Sequence, residues 1–211
     1  MKKSAGSLAE NPIQERILGA AFEAFTEDGY ADTSTLEIAR RAKISKRDLY
    51  ANFGSKHAVL AACIARHAAR MQLSPELPAP RSRRMLASTL VRFATNLLRE
   101  VSHPSVIATF RLAIAEATRS PEIAQALDMA GRDATRRALA QLLANAQSAR
   151  LIGPGEPTEL ATQYLGLLWE GLMVALLLGV VATPEPAEAE RRATKATAAF
   201  MQLHPAPARN R

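Results

Sequence analysis

The chain has 211 residues, enough for one large or two small domains. Its single cysteine, Cys63, cannot form an intrachain disulfide, and this excludes a disulfide-stapled secreted domain. Alanine supplies 42 residues, about a fifth of the chain, whereas aromatic residues supply only 5%. Because alanine is the best helix former and a poor strand former, the composition predicts an all-α protein.

The net charge of +7 includes a strongly basic window between residues 40 and 56, where six cationic side chains accompany a single acid, Asp48. Such a window is typical of a nucleic-acid-binding surface, but an ordinary solvated helix face looks the same. A structural motif in the window is needed to choose between the two.

Neither export nor membrane insertion is expected. Lys2 and Lys3 are not followed by an apolar run, so Met1–Glu10 does not read as a signal peptide. The longest uninterrupted apolar run, Gly171–Ala182, has twelve residues, fewer than the ~20 that span a membrane. We therefore expect a cytoplasmic protein with no membrane partner.

Capping signals place the first two helices. Asn11 is a good N-cap, Pro12 suits the first helical position, and Gly29 is placed to end the first helix. The string from Ser34 to Glu37 has the form of a capping box, which predicts a second helix that carries Leu36, Ile38 and Ala39 and ends near Ala42.

A tight turn follows the second helix, over residues 42–45. Ser45 caps a third helix, Lys46–Phe53, which is expected to bury Leu49 and Phe53. Gly54 breaks that helix, and a fourth is predicted from Lys56 to about Gln72.

Two short capped helices joined by a tight turn and preceded by a supporting helix describe a helix-turn-helix unit. The second helix of such a unit enters the DNA major groove, and its N-terminal end meets base edges. The residues available for a small core beneath it are Ile38, Ala39, Ile44, Leu49 and Phe53. The polar residues displayed at the N-terminal end are Lys43, Ser45, Lys46, Arg47 and Asp48. Residues 1–56 are thus predicted to be a DNA-binding domain for double-stranded DNA.

Residues 57–211 are predicted to form a second, helical domain. Breaks at proline and glycine separate five further helices, which makes about nine in all, over residues 83–101, 104–119, 121–150, 158–181 and 187–203. A helical domain of this size can dimerise, bind a small-molecule effector, or do both.

The eighth predicted helix is apolar on all sides and must be covered on all sides. Gly171, Ala175 and Gly179 recur every four residues on it, a ridge that permits close helix approach. With Phe200 of the last helix, these residues are expected at a two-fold interface of a homodimer, whose two recognition helices would bind a palindromic operator. Completion of a monomer core is the alternative.

Candidates for an apolar ligand pocket come from the fifth, sixth and eighth helices. The candidates are Phe93, Asn96, Phe110, Arg111, Glu116, Trp169 and Met173. For each of them, core packing is the alternative.

An enzyme is not expected, nor is a cofactor or a metal. His57 and His67 lie ten residues apart on one helix, too far to share a metal ion, and the common nucleophile, phosphate-loop and zinc motifs are absent from the sequence. Cys63 falls on the apolar side of its helix and is expected to be a small buried hydrophobe, with a redox-sensing thiol as the alternative.

The head of the chain resembles the DNA-binding domain of tetracycline-repressor (TetR) family transcriptional regulators. The resemblance covers about residues 12–60 and is carried by Gly29-Tyr30, Thr33-Ser34, Ile38-Ala39, residues 42–46, Leu49-Tyr50, Phe53, Ser55-Lys56 and Leu60. Residues 111–116 and 163–166 are similar to the AefR-like C-terminal domains of one subgroup. The resemblance implies a repressor that a small-molecule effector, unknown from the sequence, releases from its operator. A DNA-binding dimer governed by a protein partner, or by no effector, is the alternative.

The resemblance also implies roles for single residues. Ser34 and Thr35 would meet phosphate, and Lys46, Arg47 and Asp48 would face bases or adjacent phosphates. The same comparison assigns phosphate contacts to Tyr50 and Lys56, and a contact on the same face to Asn52. The sequence departs from the family pattern in two ways: Lys43 stands where glycine is usual, and Thr35 and Leu36 exchange the usual apolar and polar residues.

Overall fold

In the computed structural model, which describes residues 11–70 and 79–207, every regular element is a helix. The first four α-helices are α1 (Pro12–Glu27), α2 (Thr35–Arg41), α3 (Lys46–Phe53) and α4 (Lys56–Arg70). Seven more follow: α5 (Arg83–Val101), α6 (Pro104–Glu116), α7 (Pro121–Leu127), α8 (Ala134–Ser148), α9 (Pro157–Trp169), α10 (Leu172–Leu178) and α11 (Pro186–Leu203). A π-helical segment, Asp128–Asp133, joins α7 to α8. The fold class is all-α, as predicted.

The caps of the first three helices form where the sequence placed them. The side chain of Asn11 accepts the backbone N–H of Ile13 at the start of α1, and Gly29 adopts a left-handed φ of 82° just after that helix. The Ser34 hydroxyl accepts the N–H of Glu37 at 3.1 Å. Only this half of the predicted box forms, because the Glu37 carboxylate turns instead to the arginines of its own helix.

The head, which we define as α1 to α3, closes over a small apolar core. Its fully buried side chains include Ile17, Ala21, Phe25, Ile38 and Leu49. One expectation needs correction: Phe53 is only half-buried. Leu36 is 64% exposed, although it lies three residues before the buried Ala39.

Helix α4 connects the head to the body of the protein. It packs against α1 and α3 on one side and against α6, α7 and the π segment on the other. Val59, Leu60, Cys63 and Ile64 point inward as predicted, and burial raises the pKa of the Cys63 thiol to about 12, which favours the inert thiol. The predicted end of this helix near Gln72 lies outside the described residues.

Two predicted helices are each divided in the structure. The one predicted over residues 121–150 contains the π segment, where hydrogen bonding shifts register around Gly131. The one predicted over 158–181 breaks at Glu170 and Gly171, which both adopt left-handed φ, 42° and 84°. The proposed ridge therefore does not exist as one helix face: Gly171 precedes α10, and Gly179, at φ 72°, ends it.

The last helix, α11, packs along α5 and α9. Phe200, expected at a dimer interface, is fully buried within the subunit, where its ring meets Tyr164 edge-on at 5.4 Å. Ala193 and Ala196 on the same stripe are buried with it. This stripe completes the core of the chain, so its assignment to an interface is wrong.

No single helix among the described residues has the length and hydropathy needed to cross a membrane. Helices α9 and α10 have sufficient length and hydropathy only when they are counted together, and the two are bent by 54° relative to each other.

Candidate nucleic-acid interface and body cavity

The turn between α2 and α3 is built around Lys43 and Arg16. Lys43 takes the left-handed φ of 55° that its position requires, a conformation that costs a non-glycine residue energy. The Arg16 guanidinium of α1 donates to the carbonyls of Ala42 and Lys43 at 2.5 and 2.8 Å. This pair of bonds fixes the turn to the supporting helix, and sequence reasoning missed it.

Helix α3 begins with a complete capping box. The Ser45 hydroxyl accepts the N–H of Asp48 at 3.1 Å, and the Asp48 carboxylate accepts the N–H and the hydroxyl of Ser45. The Ser45 hydroxyl and backbone bonds lower the pKa of Asp48. The Asn52 amide donates to the Asp48 carbonyl. Ser45, Asp48 and Asn52 thus each have an internal partner that shapes the helix.

The exposed face of α3 is cationic and aromatic. Lys46, Arg47 and Tyr50 are exposed there, and the Lys46 ammonium lies 5.8 Å from the centre of the Tyr50 ring. The Tyr50 hydroxyl is 3.4 Å from the Thr35 hydroxyl at the start of α2. Both hydroxyls, with Ser34 beside them, line the junction between the two helices on the outer side of the head.

The basic window of the sequence separates into paired and unpaired cations. Glu37 binds both Arg40 and Arg41, whose hydrogen bonds lower its pKa to about 2, and Arg41 also reaches the acids at the end of α1. Within the described part of the chain, three cations of the window have neither an ion pair nor a side-chain hydrogen bond: Lys43, Lys46 and Arg47. All three lie on or next to the N-terminal half of α3.

Lys56 does not have the role expected for it. Its half-buried ammonium donates to the carbonyls of Tyr30 and Thr33 at 2.8 and 2.9 Å and lies 4.3 Å from the centre of the Tyr30 ring. These contacts join the start of α4 to the loop between α1 and α2. The assignment to a DNA phosphate is therefore corrected to a structural clamp between α4 and the head.

A cavity of about 180 Å³ lies in the body, which we define as α5 to α11, and its wall is formed by α5, α6, the π segment and the start of α8, α9 and α10. Three predicted ligand residues share its wall: Phe110 of α6, Trp169 at the end of α9 and Met173 of α10. Trp169 lies just before the break between α9 and α10 and Met173 just after it, and both line the same cavity. The remaining wall residues are Leu97, Val101, Leu165, Gly131, Arg132 and Thr135.

Four predicted ligand residues lie elsewhere. Phe93 is buried in the core and Asn96 is exposed. The Arg111 guanidinium donates to the carbonyls of Leu176 and Leu177, both at 2.9 Å, and so caps the end of α10.

Glu116 is the fourth, and it is only 6% exposed. The pKa of Tyr30, which lies in the loop after α1, is raised mainly by burial. The charge of Glu116 raises the pKa of Tyr30 further. Neither Arg111 nor Glu116 lines the cavity. Across the described ranges, no cluster of three His, Cys, Asp or Glu side chains is placed to hold a metal ion.

Known proteins match both halves of the chain. Residues 17–63 match the family of bacterial regulatory proteins, tetR family, and residues 88–204 match the C-terminal domain of AefR-like transcriptional repressors. An uncharacterized HTH-type transcriptional regulator of Bacillus subtilis, YvkB, is 30% identical over 92 residues, which are 44% of this chain and 47% of that protein. The match thus spans about half the length of that relative.

Solved structures extend the similarity to nearly the full chain. The flavonoid-responsive regulator FrrA is 31% identical, with 93% of this chain and 98% of that one covered and a TM-score of 0.76. A TetR transcriptional regulator from Agrobacterium tumefaciens is 28% identical, with coverage of 92% and 95% and a TM-score of 0.74. The C-terminal family match alone spans more than half of the chain, and a helix-turn-helix head precedes it. The chain therefore belongs to the TetR family of transcriptional regulators.

Proposed function

We propose that the protein is a homodimeric, cytoplasmic repressor, without catalytic activity, that binds a palindromic DNA operator and leaves it when a small molecule enters the body cavity. The observation that carries the DNA-binding part is the set of three unpaired cations around the start of α3: Lys43, Lys46 and Arg47. Unpaired, exposed cations are the groups that replace counterions on a phosphate backbone.

Within this surface, different residues perform different tasks. Arg47 reads a guanine, because a guanidinium fork matches the O6 and N7 acceptors of the major groove. Lys43 and Lys46 bind phosphate, as do the hydroxyls of Ser34, Thr35 and Tyr50. Ser45, Asp48 and Asn52 hold the helix end in shape for these contacts, and Lys56 holds the loop beneath it.

Dimerisation is proposed for the outer side of α9, α10 and α11. Large apolar residues are exposed on and just after α10, namely Val174, Leu178, Val180 and Val181, and Leu203 is exposed at the end of α11. Gly171, Ala175 and Gly179 lie among them without a bulky side chain. Burial of this apolar surface against a second copy is favourable and places two heads on one side of the assembly.

The cavity is linked to the head through the π segment. Gly131 and Arg132 line the cavity, and the π segment and α7 both pack against α4. At the start of α4, the His57 imidazole lies 2.9 Å from the Glu122 carboxylate of α7. A ligand that displaces the π segment therefore moves the helix that begins directly after α3, and it shifts the population away from the DNA-binding form by its differential affinity. The similarity to FrrA, a flavonoid-responsive regulator at 31% identity, supports a small-molecule effector.

Selection of bound sequences from a random DNA pool tests this function. We expect a palindrome whose half-sites lie one helical turn, or a multiple, apart. Arg47→Ala should relax preference at one base pair per half-site and cost ~1–3 kcal/mol per contact. The matched control is Arg40→Ala, which removes an arginine already paired with Glu37. Enrichment of no sequence, or the same profile for the wild type and Arg47→Ala, would contradict the proposal.

A further inference from the structure

The body cavity opens to solvent at Arg132, and its size limits the part of a ligand that it can bury. Its volume is about 180 Å³. An apolar protein cavity of about 150 Å³ stays dry and accommodates benzene. The body cavity therefore has room for one substituted ring.

The walls of the cavity are almost entirely apolar. Phe110, Trp169 and Met173 contribute large polarisable surfaces, and aliphatic side chains of α5 and α9 complete them. The polar residues in the wall are Arg132 and Thr135. A ligand thus meets hydrocarbon and aromatic carbon over nearly its whole surface.

The cation in the wall is already neutralised. The Arg132 guanidinium donates through Nε to the Asp128 carboxylate one turn earlier in the π segment. The Arg132 side chain as a whole is 71% exposed, so much of it lies in solvent. Among the residues that the structure describes, no carboxylate lines the cavity. A charged ligand would lose its hydration there without gaining a free counter-charge, which is strongly unfavourable.

We infer that the ligand of this cavity is a compact, uncharged, hydrophobic molecule about the size of one substituted ring. This inference rests on the proposed function only in calling that ligand the effector. The binding preference itself follows from the volume of the cavity and from the ion pair between Arg132 and Asp128.

Trp169 makes the preference directly measurable, since it is the single tryptophan of the chain and lies in the cavity wall. Its fluorescence is followed in the free protein during titration with toluene, benzoate and benzylamine, which share one ring and differ in charge. We expect toluene to produce a saturable change and the two ions to bind at least ~100-fold more weakly. Benzoate or benzylamine binding as tightly as toluene would overturn the inference, and so would the absence of saturable toluene binding.

A gain-of-function variant tests the role of the ion pair. Asp128→Asn frees the Arg132 guanidinium, and we expect benzoate to bind at least ~10-fold more tightly than to the wild type while toluene is unchanged. The matched control is Asp133→Asn, which frees Arg136 and Arg137, two arginines that do not line the cavity. An equal gain in both variants would show that Arg132 is not the relevant cation. The wild-type series decides the ligand class even if a variant does not fold.

The same samples separate this inference from the proposed function. If toluene binds but leaves DNA affinity unchanged, the effector mechanism fails and the ligand class stands. If an anion binds best and also releases DNA, the effector mechanism stands and the ligand class fails.

Discussion

Replacement of Lys56 by methionine distinguishes a clamp between α4 and the head from a contact to DNA. The methionine side chain retains the length of the stem but removes the ammonium, which makes hydrogen bonds of 2.8 and 2.9 Å to the carbonyls of Tyr30 and Thr33. It also removes the cation above the Tyr30 ring, 4.3 Å from its centre. The loop between α1 and α2 then loses its connection to the start of α4.

The magnitude follows from the number and type of these contacts. A hydrogen bond from a charged donor contributes ~1.5–3 kcal/mol, and a half-exposed cation–π contact ~0.5–1 kcal/mol. The contacts share one ammonium and are not additive, so we expect Lys56→Met to lower the free energy of unfolding by about 2–3 kcal/mol. The matched control is Lys46→Met, whose exposed ammonium has only the distant Tyr50 ring beside it, and which should change stability by less than ~0.5 kcal/mol.

Urea unfolding followed by circular dichroism measures the change in stability. The salt dependence of DNA binding measures whether a phosphate contact has been lost. Each phosphate contact contributes about 0.9 to the slope of log affinity against log salt concentration. In a two-fold dimer, Lys46→Met should therefore reduce the slope by about 1.8, whereas Lys56→Met should leave it unchanged. If Lys56→Met is as stable as the wild type and the salt slope of its DNA binding is reduced, Lys56 contacts a DNA phosphate and the clamp is refuted.

Three further substitutions address the turn, the body and the acid in α2. Lys43→Gly removes the backbone strain of a non-glycine residue with left-handed φ and should raise the free energy of unfolding in urea by ~1 kcal/mol. It should also reduce the salt slope of DNA binding, since a cation is lost. A variant less stable than the wild type would mean that Lys43 is not strained. Tyr164→Phe removes a buried hydroxyl that donates to the Leu90 carbonyl at 2.9 Å and should lower the free energy of unfolding by ~1–3 kcal/mol. An unchanged free energy of unfolding would mean that water takes the place of the hydroxyl as donor to Leu90. Glu37→Gln tests pH dependence: the carboxylate pKa falls from 4.5 to about 2 on folding, so its stabilisation is present above pH 4.5 and disappears as the pH falls toward 2. The stability difference between wild type and variant should narrow over that interval, and a constant difference would rule out the ionised pair with Arg41.

Local signals in the sequence were sufficient to locate the head. Caps at Asn11, Ser34 and Ser45 act within three residues of chain, so they can be read without knowing the tertiary structure. The buried side of each helix follows from the 3.6-residue period, which correctly placed Ile38 and Leu49.

Long-range contacts could not be read in the same way. Arg16 reaches a turn 26 residues later, and Lys56 reaches back by the same separation, so nothing in the adjacent residues reveals either bond. Lys56 was assigned to DNA through the family resemblance, and the local sequence does not distinguish an exposed cation from a clamped one. Only the fold shows which carbonyls are within reach.

The cavity was partly predictable. Phe110, Trp169 and Met173 were predicted from the helices that carry them and do line the cavity, whereas Arg111 and Glu116, taken from one of the same helices, do not. The break at Glu170 was missed since a glutamate with left-handed φ is uncommon and the flanking residues are good helix formers. Its carboxylate binds Lys195 of α11 at 3.1 Å, a contact from outside the helix that local sequence does not encode.

Protection of guanine N7 from methylation on a selected operator tests the central claim most directly, because N7 faces the major groove. With the wild-type protein we expect protected guanines in two half-sites on one face of the duplex. Arg47→Ala should expose one guanine in each half-site while the flanking phosphate contacts persist. Protection that is absent, or that is the same with Arg47→Ala as with the wild type, would mean that α3 does not read the major groove through this arginine.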